Sequence, residues 1–461
     1  MTVNPGPPGL ETPQGLNGTT KKPRVLACAS PFAGHTVPVL RASEALAQRG
    51  YDVTMIAGAE YVDTISKFPA RPVVCDPVLE ETMETRTKIP AGIERFTYDM
   101  NFVGILPTKS RMGTLYSTLE TMHEEDPESD IVIITETFFL GTHPMYLGAE
   151  LPKGFTKRPR TINLHAMPYF IKSIDTGPVG MALLPDSTKE GRERMAQLRL
   201  KALKEEWSRV IDTDEENMRS LGAVNYRRDV LWELWMTSHD ITLQMCHPGL
   251  EFDRPDWHPK VHFIGALPRK PIKKDQVYPP FWNEVIGDKK IIVVTQGTVA
   301  TDYSKLIIPT LQALAGRDDL VVIGLLGVKG ASLPKDVDIP SNAYILDYFP
   351  YDTLLPHASV FIFNAGYGGF IHGVINGVPM VLAGDTEEKP EVAVRAEYSG
   401  LGVNLRTGTP TKEQVSEAVN KVLEDPSYKE KVTYIMRENE KLDATDAIER
   451  AVLKMAAIGP A

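Results

Sequence analysis

The sequence predicts an α/β protein of two doubly wound, Rossmann-like parallel-sheet domains that face each other across a cleft. Three observations predict this fold. A short apolar strand, a turn containing glycine, a helix and a second strand follow one another from residue 24, and the same order restarts near residue 290. A segment rich in proline and lysine separates the two runs. With 461 residues, the chain is also too long for one ordinary hydrophobic core.

The predicted N-terminal domain covers residues 23–266 and follows a tail, residues 1–22, whose Pro, Gly, Asn and Thr content predicts disorder. After the first strand and its turn, a helix is predicted from about Val37 to Gly50, with a proline in its first turn. A long helical stretch is predicted over residues 187–237. The strands of this domain are predicted over residues 24–30, 52–57, 131–135, 161–165, 241–245 and 261–265.

A linker over residues 267–288 leads to the predicted C-terminal domain, residues 289–461. Its strands are predicted within residues 290–299, where the strand runs into a Gly-Thr turn, and over residues 320–326, 343–347, 360–363 and 378–382. A helix over residues 303–316 follows the first of them. The terminal helices have a clear start, because Thr411 and Gln414 have the spacing of a capping box and apolar residues follow at helical intervals.

The composition argues against several classes of function. A formal net charge of −10 disfavours a nucleic acid or an anionic membrane as the main partner. The chain has no apolar run of the roughly 18 residues that cross a bilayer, and its tail does not resemble a signal peptide, so we expect a cytoplasmic protein. The cysteines, Cys28, Cys75 and Cys246, form no CxxC pair, and the histidines lack metal-ligand spacing, so no metal is predicted.

A glycine-rich segment, Asn364-Ala-Gly-Tyr-Gly-Gly-Phe-Ile-His372, lies between a predicted strand and a predicted helix. Glycines let the backbone approach a phosphate, and the start of a helix supplies unpaired N–H donors at the positive end of its dipole. The segment therefore indicates binding of an anionic ligand. A tight turn packed against its own sheet is the alternative, because the spacing is neither that of a P-loop nor that of GxGxxG in its usual place.

Residues 348–405 resemble the donor-binding signature of family 1 glycosyltransferases, which are UDP-sugar enzymes with the two-domain GT-B fold. Tyr348-Phe-Pro-Tyr351 stands where the family has Trp-x-Pro-Gln, and the glycine-rich segment stands where it has His-x-Gly-x-x-Ser. Glu388-Lys-Pro390 matches its Asp/Glu-Gln-Pro, and Gly34-His-Thr-Val-Pro38 matches an N-terminal Gly-His-x-x-Pro. Among the subgroups, the chain is most similar to fungal enzymes with an Asn-x-Gly-Tyr-Gly-Gly segment, including glycosyltransferases of glycolipid and secondary-metabolite pathways.

The resemblance implies that the C-terminal domain binds a nucleotide sugar. Tyr348 would stack on the base, Asn364 would donate to the β-phosphate, and Glu388 would accept hydrogen bonds from sugar hydroxyls. Gly368 would offer only its backbone N–H. His372 stands where the family has a glutamate that binds both ribose hydroxyls, so a single imidazole replaces a bidentate acceptor. The implied donor-binding residues are Gly34, Gly297, Thr298, Tyr348, Phe349, Tyr351, Asn364, Gly366, Gly368, Gly369, His372, Glu388 and Lys389.

The resemblance also implies that His35 is the catalytic base. Inversion at an anomeric carbon requires a base that takes the proton of the acceptor hydroxyl, and an imidazole with a near-neutral pKa suits that role. Such a base is usually held by a carboxylate. The family has an Asp at the end of a middle strand, and here that strand ends Thr135-Glu136. Glu136 is the candidate, although counting from Asp130 places the family's Asp on Thr135.

The sequence thus predicts an inverting transferase that moves a hexose, glucose from UDP-glucose, to a hydroxyl of a lipophilic small molecule. The acceptor could be a phenolic or polyketide metabolite, a terpenoid, a sterol or a hydroxy fatty acid. Its pocket is expected from residues 96–112 and 167–184 of the N-terminal domain, which are rich in Phe, Tyr, Met and Pro. We expect no cofactor or metal and a monomer or weak dimer. A sugar-nucleotide epimerase and a non-catalytic nucleotide-sugar-binding protein are the alternatives.

Overall fold

The computed structural model describes residues 21–77, 80–90, 93–228, 231–298 and 300–461. The first twenty residues of the predicted tail lie outside them. Two parallel sheets organise the chain, one of seven strands and one of six. In both, the first strand lies near the centre and the chain winds first to one side and then to the other, as predicted for doubly wound domains.

The N-terminal sheet has the strand order β3-β2-β1-β4-β5-β6-β7. Its strands are β1 (Arg24–Cys28), β2 (Val53–Ala57), β3 (Ala70–Val74), β4 (Ile131–Glu136), β5 (Arg160–His165), β6 (Ile241–Gln244) and β7 (Val261–Phe263). The helices of this part of the chain are α1 (Ala33–Gln48), α2 (Val62–Ile65), α3 (Glu80–Lys88), α4 (Ile93–Tyr98), α5 (Thr108–Glu125), α6 (His143–Tyr146), α7 (Lys189–Lys201), α8 (Ser208–Ser220) and α9 (Leu231–Thr237). Two π-helical segments are inserted, Asp99–Ile105 and Ala202–Glu206.

The C-terminal sheet has the strand order β10-β9-β8-β11-β12-β13. Its strands are β8 (Lys290–Thr295), β9 (Leu320–Leu325), β10 (Ala343–Leu346), β11 (Ala358–Phe363), β12 (Met380–Leu382) and β13 (Gly402–Asn404). The remaining helices are α10 (Trp282–Val285), α11 (Ile307–Ala313), α12 (Tyr351–Leu354), α13 (Tyr367–Ile375), α14 (Lys389–Tyr398), α15 (Lys412–Glu424), α16 (Pro426–Lys441) and α17 (Ala444–Ile458).

Apolar side chains cover both faces of each sheet, which explains the continuous apolar runs in the strands. In β1, Val25 belongs to a core shared with α1, whereas its neighbour Leu26 belongs to a second core shared with α5. In β8, Ile291 and Ile292 divide in the same way between two cores. Successive side chains of a strand point to opposite faces, so each central strand supports two helical layers.

The last helix, α17, corrects the predicted domain division. The sequence assigns residues 289–461 to the C-terminal domain, but α17 packs against the N-terminal sheet beside α1. Arg49, the C-cap of α1, forms ion pairs with Asp446 and Glu449 of α17. The apolar stripe that α17 buries in the N-terminal core consists of Ala444, Ala447, Ile448, Ala451, Val452 and Met455. An amphipathic helix covers whichever apolar sheet face it can reach, and its position in the chain does not specify the face.

Several helix boundaries also differ from those predicted. Helix α1 begins at Ala33, four residues before Val37, so His35 lies in its first turn. The predicted helix over residues 187–237 is divided into α7, a π-helical segment, α8 and α9. Its tryptophans, Trp207, Trp232 and Trp235, lie together in one buried cluster. Within the part of the chain that the structure describes, no helix is both long enough and apolar enough to cross a bilayer.

Candidate active site

The switch point of the N-terminal sheet lies between β1 and β4, and it brings His35 and Glu136 together. His35 follows β1, Glu136 is the last residue of β4, and the two strands are neighbours. In doubly wound sheets the crevice for ligands opens at this point, at the carboxyl ends of the strands. His35 Nδ1 lies 2.8 Å from Glu136 Oε2. The hydroxyl of Thr135, the other candidate partner, donates to the backbone carbonyl of Glu136 at 3.1 Å.

Three protein groups besides His35 fix the carboxylate of Glu136. The Ser30 hydroxyl and N–H donate to Oε1 at 2.6 and 3.1 Å, and the Phe138 N–H donates to Oε2 at 2.8 Å. Burial alone would raise the pKa of Glu136, but the nearby His35 and these donors hold it well below its ordinary value. Glu136 is therefore ionised and accepts the Nδ1 proton of His35. Among the described residues none bonds the other ring nitrogen, Nε2, which can therefore take a proton.

The same ion pair acts on His35 in the opposite direction. Burial would lower the pKa of His35, but the charge and hydrogen bond of Glu136 raise it above its ordinary value, and the charge of Glu388 acts in the same sense. The histidine is thus a stronger base than a free imidazole while its side chain stays 25% exposed. An accessible, strengthened base is suited to general base chemistry.

An aromatic cluster borders His35. The Phe138 ring lies against the imidazole with ring centroids 5.0 Å apart, and its edge meets Trp235 at 5.4 Å. Both predicted acceptor segments, residues 96–112 and 167–184, contribute to the same apolar cluster. Its members from these segments are Phe96, Met100, Ile105, Phe170, Val179 and Met181. The surroundings of the base are therefore apolar on the side of the N-terminal domain.

The switch point of the C-terminal sheet lies between β8 and β11, and the predicted donor residues meet there. Asn364 follows β11, and its side-chain Nδ2 donates to the carbonyl of Gln296 at the end of β8 at 2.5 Å. Gly297 follows with φ +75°, a backbone conformation that glycine adopts without strain. Asn364 thus joins the two strand ends, and its remaining amide hydrogen is available to a ligand.

The glycine-rich segment forms the start of α13. The N–H groups of the first turn of a helix have no intrahelical acceptor. The N-cap of α13 is Gly366, which has no side chain that could accept from them. The Tyr367 N–H meets Glu388 Oε1 at 3.3 Å. Glu388 therefore contacts the glycine-rich turn and is near enough to His35 for its charge to act on the imidazole. The first turn of α13 thus presents backbone N–H donors that can bind an anion, and His35, a proton acceptor, faces them from the N-terminal domain.

The two glycines of the first turn serve different purposes. A Cβ on Gly369 would lie 2.8 Å from the Phe363 ring, so this position needs glycine for packing. A Cβ on Gly368 would meet no atom within 4 Å. The sequence alternatives, ligand binding or a packed turn, thus apply to different residues of one segment: Gly369 packs against the sheet, and Gly368 borders open space.

Replacing Gly369 by alanine is expected to lower the free energy of unfolding by about 1–3 kcal/mol, the usual cost of overpacking a core. Gly368→Ala, one residue away, is the matched control and should leave stability within about 0.5 kcal/mol, because its methyl group enters open space. Thermal or urea unfolding of both variants measures the difference. Equal stabilities would show that Phe363 does not require a glycine at position 369.

The remaining donor residues differ in accessibility. Tyr348 is half exposed and lies beneath the ammonium group of Lys329, 5.4 Å from its ring centroid. Phe349, in contrast, is 8% exposed and packs against Trp282 in the C-terminal core. Thr298 is exposed. A ring open on one face, such as that of Tyr348, can stack on a ligand, whereas Phe349 offers only its backbone.

Lys389 is held by acidic and hydroxyl partners of its own loop. Its Nζ pairs with the carboxylate of Glu387 and bonds the Thr386 hydroxyl at 2.8 Å. Arg86 of the N-terminal domain reaches across the cleft to the same Glu387 carboxylate at 2.5 Å. The structure therefore places Lys389 at a contact between the domains, beside Glu388 but already paired.

Asp352 is a site residue that sequence reasoning missed. Its Oδ1 accepts from His372 Nδ1 at 2.9 Å and from Asn376 Nδ2 at 3.3 Å, and Oδ2 accepts the Lys270 N–H at 2.9 Å. Burial would raise the pKa of Asp352, but these partners lower it to about 2, so the carboxylate is ionised. Tyr351, which packs on His372 with centroids 5.1 Å apart, immediately precedes it. An acidic residue directly after the predicted base-binding element was the available signal.

A buried ionic network joins the domains beside the acceptor segment. Arg395 of α14 pairs with Glu251 at 2.6 Å and with Glu391 at 2.7 Å. The free oxygen of Glu391 accepts the N–H groups of Gly180 and Ala182, both at 2.9 Å. The helix that begins at the predicted donor residues therefore contacts the predicted acceptor segment directly.

Among the residues that the structure describes, no three His, Cys, Asp or Glu side chains cluster as metal ligands.

Solved structures share this architecture. The glycotransferase of kitacinnamycin superposes with a TM-score of 0.69 at 19% identity, over 96% of this chain and all of that one. CalG4, the calicheamicin glycosyltransferase, superposes with a TM-score of 0.65 at 17% identity, over 95% and 98% of the two chains. Two facing doubly wound domains, with the cleft at both switch points, define the class of GT-B glycosyltransferases.

The sequence comparisons identify the family. Residues 186–453 match the family model described as UDP-glucoronosyl and UDP-glucosyl transferase. UDP-glucosyltransferase 1 of Beauveria bassiana is 48% identical over 443 residues, 94% of this chain and 96% of the relative. UDP-glucosyltransferase B1 of Starmerella bombicola is 37% identical over 449 residues, 95% and 99% of the two chains. The chain belongs to this family, and it is a UDP-glycosyltransferase that transfers a glycosyl group from a UDP-sugar to an acceptor.

Proposed function

We propose that the protein is an inverting glucosyltransferase that moves glucose from UDP-glucose to a hydroxyl group of a lipophilic small molecule. The observation that carries this proposal is the His35–Glu136 pair, with Nε2 free and with the glycine-rich turn and Glu388 on the other side of the cleft. Both oxygens of Glu136 are occupied by protein donors, so Glu136 orients the base and does not act as a nucleophile. A base without a nucleophile favours single displacement with inversion.

In the proposed reaction, the acceptor hydroxyl gives its proton to His35 Nε2 as its oxygen forms a bond to the anomeric carbon. The bond from that carbon to the β-phosphate oxygen breaks, and UDP leaves with the electron pair. The first turn of α13 offers N–H donors at the positive end of its dipole to the developing negative charge. Glu136 stabilises the imidazolium. No metal ion is needed in this scheme, because backbone donors take its electrostatic role.

The donor assignments follow from the accessible groups. Tyr348 stacks on uracil, and His372, backed by Asp352, binds the ribose hydroxyls where the resemblance implies a glutamate. Glu388 accepts from glucose hydroxyls. The names of the Beauveria and Starmerella relatives, both UDP-glucosyltransferases, support glucose as the sugar.

The acceptor assignment follows from the aromatic cluster beside His35. Large apolar side chains are exposed on the same two segments that contribute to this cluster. They are Phe102, Leu106, Ile174, Leu183 and Leu184. Apolar exposed residues next to a buried aromatic wall suit a phenolic or polyketide compound, a terpenoid, a sterol or a hydroxy fatty acid. Cys28, Cys75 and Cys246 are all free and buried, which supports a reducing, cytoplasmic setting.

The test is a donor and acceptor screen read by mass spectrometry and UDP release. UDP-glucose should release UDP only when a lipophilic acceptor is present, and the product should carry the inverted anomeric configuration by NMR. Treatment with EDTA should leave the rate unchanged. The dTDP-sugar, which lacks the 2′-hydroxyl, should be a poorer donor than the UDP-sugar. A new sugar nucleotide formed without acceptor would indicate an epimerase, and binding without turnover would indicate a binding protein.

A further inference from the structure

Arg111 of α5 is a buried arginine whose hydrogen bonds go to backbone carbonyls. It is 2% exposed. Its guanidinium donates to the carbonyls of Val103 at 3.1 Å, Gly104 at 3.4 Å and Phe138 at 3.2 Å. Among the residues that the structure describes, no carboxylate forms an ion pair with it. Burying a cation without an opposite charge in contact is costly, so the position of this charge calls for an explanation.

The three carbonyls join two parts of the acceptor site. Val103 and Gly104 lie at the end of the π-helical segment Asp99–Ile105, which carries the exposed Phe102. Phe138 is the ring that packs on His35. Gly104 lies close to it, since a Cβ there would be 3.7 Å from the Phe138 ring and 3.8 Å from Trp235. The Arg111 guanidinium therefore links the π-helical segment to the backbone of Phe138, whose ring packs on the base.

The same residue lies next to the catalytic pair. The Phe138 carbonyl accepts from Arg111, while the Phe138 N–H donates to Glu136. The charged groups that act on His35 are Glu136, Glu388 and Arg111. The two carboxylates favour the imidazolium, and Arg111, although it acts least of the three, is the cation that opposes it.

Neighbouring titratable groups do not add charge in the working range. Burial lowers the pKa of His165 to about 4, so this histidine beside the pair is neutral. Burial raises the pKa of Cys75, which faces Arg111, to about 11. The balance at His35 therefore rests on two carboxylates and one arginine, and removing the arginine changes it.

We propose that Arg111 is a positioning residue for transfer: it holds the π-helical segment against Phe138 as the acceptor wall, and its positive charge, placed beside the His35–Glu136 pair, disfavours the imidazolium. The first part rests on three hydrogen bonds and the second on the charge. The catalytic meaning of this role rests on the proposed function, but the charge part has a consequence that can be measured without turnover.

Two substitutions separate the parts. Arg111→Lys keeps the charge but loses the planar fork that reaches three carbonyls, and Arg111→Met loses both. We expect both variants to raise the KM for the acceptor by about threefold or more, because the wall loosens. Only Arg111→Met should move the acid limb of the pH profile of kcat/KM to higher pH, so that its rate on this limb falls about threefold or more below that of Arg111→Lys.

Arg254→Met is the matched control. Arg254 is also a buried arginine, 3% exposed, that donates to a carbonyl, that of Ile171, and it lies over the rings of Tyr169 and Trp257. Its removal should loosen the second acceptor segment but leave the acid limb in place. NMR titration of the His35 imidazole in the wild type, Arg111→Met and Arg254→Met gives the same comparison without any acceptor.

The outcomes decide the proposal. A higher His35 pKa in Arg111→Met alone supports it, even if the wild type transfers no sugar, which would count only against the proposed function. An unchanged His35 titration in Arg111→Met overturns the charge part. An unchanged acceptor KM in both Arg111 variants overturns the proposal that Arg111 holds the π-helical segment against Phe138. If Arg111→Met does not fold, Arg111→Lys alone still decides. A wild-type acceptor KM together with a wild-type acid limb in Arg111→Lys overturns the proposal that Arg111 holds the π-helical segment. A shifted acid limb in Arg111→Lys overturns the charge part.

Discussion

Replacing His35 by alanine is expected to lower kcat by about 10²- to 10⁴-fold while UDP binds nearly as in the wild type. The imidazole is the group with a free proton-accepting nitrogen at the switch point of the N-terminal sheet, and its loss leaves the acceptor hydroxyl without a base. In the proposed complex the donor is held by the other domain, at the start of α13, so its affinity should change little. Initial rates at saturating substrates measure the first effect, and calorimetric titration with UDP measures the second.

His357→Ala is the control for this variant. His357 is an exposed histidine of the C-terminal domain that contacts the edge of Trp282, away from the pair. It should keep wild-type kcat within a factor of about two. Turnover by His35→Ala within tenfold of the wild type would show that another group takes the proton. A matching loss of UDP affinity would show that the residue holds the donor domain in place instead.

The fold could be predicted because its signals are local. Apolar runs of strand length, glycines after them and amphipathic helices determine two doubly wound sheets, and both formed in the expected order. The destination of α17 could not be predicted in this way. Its stripe, which includes Ile448 and Val452, would fit either sheet, and only the assembled structure shows that the N-terminal face beside α1 was the uncovered one.

The site was predictable where a residue follows a strand near a switch point. His35 and Asn364 follow a strand and Glu136 ends one, so strand ends and topology bring them to their clefts. Arg111 was not predictable, because its partners come from a π-helical segment and from the residue Phe138 on another element. Asp352 was missed for a related reason: its partner His372 lies twenty residues further along the chain, and only the folded arrangement of α12 and α13 brings the two side chains together.

The choice between Glu136 and Thr135 leads to the second large effect. Glu136→Gln keeps the shape of the side chain but removes its charge, and we expect kcat to fall by about 10²- to 10⁴-fold, because the imidazolium loses its counter-charge and Nδ1 can meet an amide N–H instead of an acceptor. Thr135→Val is the matched control. Its hydroxyl donates to the Glu136 carbonyl, so kcat should stay within about threefold of the wild type.

The direction in which the acid limb of the pH profile moves can also be predicted. His35 acts while it is neutral, so kcat/KM falls as the pH drops through its pKa, which Glu136 holds above the ordinary value. Removing the carboxylate lowers that pKa, and the residual activity of Glu136→Gln should persist to lower pH than that of the wild type. Arg111→Met should shift the same limb to higher pH. Because loss of an anion and loss of a cation beside one imidazole must act oppositely, limbs that move in the same direction would mean that His35 is not the group that titrates.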